Sequence, residues 1–534
     1  MNCSEVRFRE ATNSEITHTN LRSMPDSKPK STRWWPLIVI WAVAIVAWIY
    51  ILIAGDPTRQ MVVMRFIGTG IVASMLSLMW LLALSRLPWK ARLKGLGAAV
   101  LVLVLMAGLF RMEGVSGDLI PIVKFRWSGS ADKVATGLAD ESEIVQGSYP
   151  QFLGPNRDTT VTGVSLNRDW DSHPPELIWK QPIGEAWSAF AIVGNRAVTQ
   201  EQDGDEELVV CYELLTGNRI WEHRYAARYD NPLGGIGPRA TPTIEEDRVY
   251  TLGALGDFVC LDFETGEKRW GFNVLDKHGA SLPDWGVAGS PLIYEDLVIL
   301  SVGGRNGHSL VAYDKLSGDY VWSGGSDKVH WSSPVFFEIA GKKQVLIFNH
   351  KSMVGHDVKD GSILWEYEWD TDGMPHVAVP ILAPEDRILL SSGYGKGAEL
   401  LQISNSDDGK QSAERIWRTL HLKAKFNNYV LKDGFVYGLD DGMLTCIDVE
   451  KGRRSWKKGR YGHGQNILVE DLMILTAENG EVLLLEPVPE EPRVLGSFQG
   501  LEGKSWNPPA LVGEYLLLRN HLEAALYRLP LLEN

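Results

Sequence analysis

Only 4 of the 534 residues are cysteine, and no two of them stand in a CxxC or adjacent pair. That excludes a disulfide framework and a Cys-rich zinc module, and with no CxxCH there is no covalent haem site. Cys211, Cys260 and Cys446 recur at one position of a repeat where other copies have Ala312 or Gly355, as small buried residues do. Strongly basic tracts are also missing. The formal net charge is −14, and no Lys/Arg stripe alternates with aromatics, which argues against a nucleic-acid partner. No HExxH occurs around His350 or His356, so a zinc hydrolase site is not expected. The Gly-rich stretches Gly234–Gly237 and Gly393–Gly397 lack a following helix to receive a phosphate and read as turns. The acidic run 202–207 reads as a solvated hairpin tip.

What the chain does have is apolar length at one end and a repeat at the other. Residues 1–33 are polar and read as a disordered cytoplasmic tail. Residues 34–54, 61–84 and 95–110 are apolar runs, the last only sixteen residues long, and together they read as a membrane anchor of about three helices. No small-residue cleavage site follows the first run, so it is expected to be retained. Lys28, Lys30 and Arg33 precede the first run, and Arg86, Lys90, Arg92 and Lys94 lie between the second and third. By the positive-inside rule both segments belong in the cytoplasm, which carries everything after residue 111 to the periplasmic side of the inner membrane. No Asp, Glu or His pair sits inside the runs to form a proton path. Residues 111–147 read as a linker.

From residue 148 onward the chain alternates short strands and tight turns. Five eleven-residue copies end at Trp221, Trp270, Trp322, Trp365 and Trp456. Each has Gly four residues before the Trp (Gly217, Gly266, Gly318, Gly361, Gly452) and an acid four before that (Glu213, Asp262, Asp314, Asp357, Asp448). The acid can accept turn N–H groups, the Gly supplies positive φ, and the Trp is large enough to dock on a neighbouring unit. A period of about 40–50 residues with one β-unit per repeat predicts a propeller. Innermost strands align near Phe190, Pro242, Pro291, Pro334, Pro380, Tyr429, Ile467 and Pro509, giving eight blades, with seven as the alternative. The outer strand missing after Leu529 is supplied by Leu177–Gln181, which closes the ring. Residues 376–417 are degenerate in their hairpin.

The repeat A/C-x-D-x-x-T-G-x-x-x-W resembles the tryptophan-docking motif of the PQQ-like β-propellers over residues 151–529. The segment Tyr149-Pro-Gln-Phe-Leu-Gly-Pro-Asn-Arg-Asp is similar to the start of exported propellers of planctomycete-type bacteria. The resemblance implies an all-β, eight-bladed propeller behind an α-helical anchor. It leaves two functions open. BamB-like members bind partners without catalysis. Quinoprotein dehydrogenases use PQQ and calcium to oxidise an alcohol or sugar, and the membrane-bound glucose dehydrogenases among them pass electrons to membrane quinone with more spans than are found here.

A propeller ligand sits at the mouth of the central channel. Three residues before the aligned positions stand Trp187, Arg239, Ala288, Trp331, Val377, Phe426, Gly464 and Trp506, with Trp285, His330, His376, Lys425, Asn427 and Asn507 beside them. Aromatic faces with a cation could hold a planar polyanion such as PQQ. A calcium cage and a general base need carboxylates, and the nearest mouth candidate is Asp284. The expectation is therefore a binding or assembly scaffold for a protein or small ligand, no metal, and no firmly assigned cofactor, with a PQQ dehydrogenase using Asp284 as base as the alternative.

Overall fold

The computed structural model describes residues 32–55, 58–128, 133–136, 143–304, 307–406 and 410–532. The expected tail, residues 1–31 of it, lies outside these. The chain divides into two compact units: residues up to 53 with 66–105, and residues 54–65 with 106–534.

The first unit is helical. Helix α1 covers Trp35–Ala54; α2 covers Arg59–Met79 and runs on through one π-helical turn, Trp80–Leu84; α3 covers Trp89–Leu109. All three are long and apolar enough to cross a membrane. The third is 21 residues, not the sixteen of the apolar run. Its first turn and a half, Trp89-Lys-Ala-Arg-Leu-Lys, is made of good helix formers that hydropathy alone passes over. Trp48 stacks on Phe66 at 5.7 Å and Trp80 Nε1 donates to the Arg33 carbonyl at 2.9 Å, so indoles tie the helices where polar groups are scarce.

The second unit is an eight-bladed propeller of four-stranded antiparallel sheets. Blade 1 runs from Ala191 to Ala226, blade 2 from Thr243 to Asn273, blade 3 from Leu292 to Gly324 and blade 4 from Val335 to Glu368. Blade 5 runs from Ile381 to Thr419, blade 6 from Val430 to Lys458 and blade 7 from Gln465 to Gln499. Blade 8 takes three strands from Ala510–Arg528 and its outer strand from Glu176–Pro182, with Leu526 opposite Trp179. The early strand thus closes the ring and leaves no open first or last blade.

Blade-to-blade spacing is set by the repeat. In each good copy the Gly has positive φ, for example +73° at Gly266 and +62° at Gly452. The same Gly is where the preceding blade's Trp lands: a Cβ on Gly266 would sit 2.5 Å from the Trp221 ring, and one on Gly452 2.6 Å from Trp417. The indole N–H of Trp179, Trp221, Trp417 and Trp456 donates to the next blade's turn at Leu214, Phe263, Val449 and Val488, over 2.7–2.9 Å. Trp270 and Trp322 dock on Gly318 and Gly361 without such a bond. The acid serves its own turn, as Asp262 Oδ1 accepts from Glu264 and Thr265 N–H. Blade 5 has no Gly to receive Trp365. There Trp365 Nε1 donates to Gln344 Oε1 at 2.6 Å, and Gln344 Nε2 reaches Gln411 Oε1 of blade 5 at 3.1 Å.

A second stitch runs round the channel. Thr241 Oγ1 accepts from Ala189 N, Ser290 Oγ from Thr241 N, Ser333 Oγ from Ser290 N and Asn428 Oδ1 from Val379 N. Ser332 Oγ donates to Ala378 O, Asn466 Nδ2 to Asn428 O, Gln465 Nε2 to Trp506 O and Asn507 Nδ2 to Ser188 O. Every junction between blades is bridged by at least one buried side-chain bond.

Residues 111–147 are more than a linker. Phe110–Val115 and Pro121–Phe125 form a hairpin, and Val134–Ala135 adds a fifth strand to blade 8. Ser148–Tyr149 then joins blade 1, and Thr160–Val161 pairs in parallel with blade 7. Between these, residues 150–159 reach the innermost strands. The buried Arg157 donates to Ser290 O and Pro291 O, and Leu153 packs among blades 4 and 5. The acidic run is solvated only at its tip, since Glu207 is fully buried between Tyr225 and the Ala254 amide; burial pushes its carboxyl up to about 7.

Gly266→Ala is expected to lower stability by about 2–4 kcal/mol, from positive-φ strain plus collision with Trp221. Gly194→Ala, also at positive φ but with open space around it, should cost about 1–2 kcal/mol. Thermal melts of the two variants side by side check the difference; equal losses would show that indole docking contributes nothing at that glycine.

Candidate functional site

The loops that enter the innermost strands surround a cavity of about 480 Å³ at the channel mouth. Trp187, Arg239, Trp285, Trp331 and Trp506 lie on its wall with Ala288, Val377 and Phe426. Trp187 is 4.9 Å from Trp506, Trp506 is 4.9 Å from Phe426, and Trp285 is 4.9 Å from Trp331, measured between ring centroids. Phe152 of the 150–159 segment also lines it, as do Thr241, Ser333, Asn428 and Gln465 of the stitched ring.

Other expected rim residues are placed elsewhere. His330 and His376 are buried and make bonds within the wall: His330 Nε2 lies 2.6 Å from His350 Nδ1, and His376 Nδ1 lies 3.0 Å from Ser392 Oγ. Burial drives these imidazoles down to about 3 and about 4, so both are neutral near pH 7. Asn427 is fully buried and accepts from the Lys425 amide, and Asn507 belongs to the ring of inter-blade bonds. Asp284 is exposed and is not among the residues lining the cavity; its carbonyl, not its carboxylate, is engaged, by Tyr229 Oη and Asn231 Nδ2. Trp221, Trp270, Trp322, Trp365 and Trp456 sit between blades, away from the mouth.

The cations at the mouth are already engaged. Arg239 packs over Tyr229, and its terminal nitrogens donate to the carbonyls of Gly237, Gly234 and Gly235. Lys425 Nζ donates to Gln60 Oε1 at 2.6 Å and to the Gly117 carbonyl. Lys504 Nζ sits over the rings of Trp187 and Trp506 and donates to Val115 O; burial pulls its ammonium down to about 8.

Those partners come from segments that flank the helical spans, which the sequence reading placed in an external turn and a linker. Gln60, Met61 and Met64 of the start of α2, and Val115, Ser116, Gly117 and Leu119 of the hairpin tip, complete the cavity lining. An ionic cluster fastens both. Asp118 receives Arg59 Nε at 3.1 Å on one oxygen and lies 3.1 Å from His463 Nε2 on the other. The Arg59 amide donates to Asp441 Oδ2, and the Gly117 amide to Glu478 Oε1 at 2.6 Å. A side chain at 117 would collide with the His463 ring. Burial raises the Asp118 carboxyl, but the His463 hydrogen bond and the charges of His463, Lys425 and Arg59 outweigh it and leave the group below the usual carboxylate range. Asp118, Asp441 and His463 are close enough together to hold a metal ion, yet Arg59 and Lys425 already supply positive charge there. No signal in the sequence pairs Asp118 with His463, 345 residues away.

Compared with known proteins, residues 205–458 match the family model described as outer membrane protein assembly factor BamB. No curated protein matches the chain. Among solved structures, BamB from Moraxella catarrhalis is 13% identical, with 66% of this chain and 99% of that chain covered, at a TM-score of 0.47. Quinohemoprotein alcohol dehydrogenase from Comamonas testosteroni is 13% identical, with 72% and 81% covered, at a TM-score of 0.53. Likeness at this level speaks for the fold alone.

Because Asp118 is held below its ordinary pKa, its contribution is present above about pH 4 and is lost as pH falls through the lowered folded value. Asp118→Asn should abolish that pH dependence. It should also raise amide exchange at residues 116–119 by about 10–100-fold at neutral pH, the loss of a charge-assisted hydrogen bond of about 1.5–3 kcal/mol. Hydrogen-exchange mass spectrometry of the full chain checks both; unchanged protection would remove the cluster as the fastening.

Proposed function

We propose that this chain, a PQQ-like β-propeller repeat protein with three apolar N-terminal helices, is a membrane-anchored binding module whose ligand or partner occupies the mouth cavity. The observation that carries the reading is the composition of that cavity: four tryptophans, and no carboxylate among the described residues that line it. The basic residues flanking α2 and α3 support an anchor with the propeller exported to the periplasmic side.

The dehydrogenase reading requires PQQ and calcium at this mouth, and the residues present do not suit that pair. Calcium takes six to eight oxygen ligands, normally with carboxylates among them. Here the side-chain oxygens on the lining are neutral amides and hydroxyls from Gln60, Ser116, Thr241, Ser333, Asn428, Gln465 and the phenol of Tyr394. A polyanion also needs a cation with donors to spare, whereas Arg239 and Lys425 donate to carbonyl and amide oxygens of the protein. Asp284, the candidate base, is exposed. With the aromatic walls intact and the charges satisfied internally, the site is built to hold a molecule by surface complementarity.

The full chain in lipid nanodiscs, supplied with PQQ and Ca²⁺, should reduce no electron-acceptor dye with alcohols or sugars, and its tryptophan fluorescence should not respond to PQQ in a Ca²⁺-dependent way. Saturable Ca²⁺-dependent quenching with dye reduction would overturn the reading.

A further inference from the structure

The mouth cavity has an apolar wall and a polar floor, and the two together define a class of ligand. The wall is aromatic, with Trp331 and Phe426 facing space bounded also by the thioethers of Met61 and Met64. Met61 and Met64 stand in the opening turns of α2, a helix apolar enough to cross a membrane. On the floor, the oxygens of Thr241, Ser333 and Asn428 already accept backbone N–H groups from Ala189, Ser290 and Val379. Those bonds use acceptors and leave donors: two hydroxyl hydrogens and the Asn428 amide N–H groups. An uncompensated charge would find no free counter-ion here, since Arg239, Lys425 and Lys504 all donate within the protein.

We infer that the ligand of this cavity is an uncharged, largely apolar ring compound, soluble in a bilayer, that stacks on the tryptophan wall and presents an acceptor oxygen to the donors of Thr241, Ser333 and Asn428. The inference rests on the reading of the mouth as a binding site, and it excludes anions and hydrophilic sugars from that site.

Benzophenone is a suitable probe: a neutral diaryl ketone whose carbonyl is an acceptor and whose photoexcited state inserts into nearby C–H bonds. The full chain in nanodiscs is irradiated with benzophenone or, at equal concentration, benzophenone-4-carboxylate, and adducts are mapped by mass spectrometry. Benzophenone should mark Ala288, Val377 and Met374 at least five-fold more than the carboxylate does, and more than Met112, which is exposed outside the cavity. Ala288→Phe, which fills the space, should cut the adducts at Val377 and Met374 several-fold without changing those at Met112. Equal marking of the cavity by both probes would overturn the inferred class while leaving the binding site. No marking of the cavity by either would overturn the binding site itself.

Discussion

An indole seated on a glycine of the next blade is the contact on which the rest of this propeller depends. Trp221 fills the place of a side chain on Gly266, and Trp417 does the same on Gly452. Neither partner can change alone, because the Gly is needed both for its positive φ and for the room it leaves. Repeated around the ring, this contact fixes how far apart the blades stand and so how wide the channel is. Eight blades at that spacing leave an axis too broad for side chains of the innermost strands alone. The chain fills part of it with its own residues 150–159, anchored by Arg157 on the carbonyls of blade 3, and what remains above Phe152 is the mouth cavity.

The second constraint is electrostatic and works on the opposite side of that cavity. The mouth contains Lys425, Lys504, Arg239, His463, Asp441 and Glu478, and in an open propeller most of these would face water. Here they are engaged by the start of α2 and by the tip of the hairpin that follows α3. Asp118 brings a carboxylate to His463 and Arg59, and Gly117 offers one amide and one carbonyl to Glu478 and Lys425. The polar groups of the mouth are spent on holding these segments, which leaves the aromatic surfaces free for a ligand. The segments next to the spans therefore belong to the site.

The fold was legible from residue types because each repeat position has a local reason. Gly217 and its counterparts must adopt positive φ, Asp262 and its counterparts must accept turn amides, and each Trp must find a neighbour. The closing strand at Leu177–Gln181 followed from counting outer strands, and the structure pairs it with blade 8. Seven of the eight mouth positions read from strand alignment line the cavity, Gly464 being the exception. What did not show was anything that depends on distant partners. His330 and His376 look like rim ligands in sequence but turn into the wall, where His350 and Ser392 meet them. Residues 111–147 lack a repeat and so read as a linker, although Asp118 and Gly117 make some of the longest-range contacts in the chain. The third helix looked short because hydropathy counts charge and not helix propensity; Lys90, Arg92 and Lys94 are helical all the same.

The central claim is that residues 59–64 and 115–119 complete the mouth cavity from above, fastened by the Asp118 cluster. A cryo-electron microscopy map of the full chain in a lipid nanodisc tests it directly. The account predicts continuous density for the hairpin tip across the mouth, with Gly117 between Lys425 and Glu478 and the Asp118 carboxylate against His463. A map showing an open mouth, with residues 113–120 away from the propeller axis and His463 exposed to solvent, would contradict it.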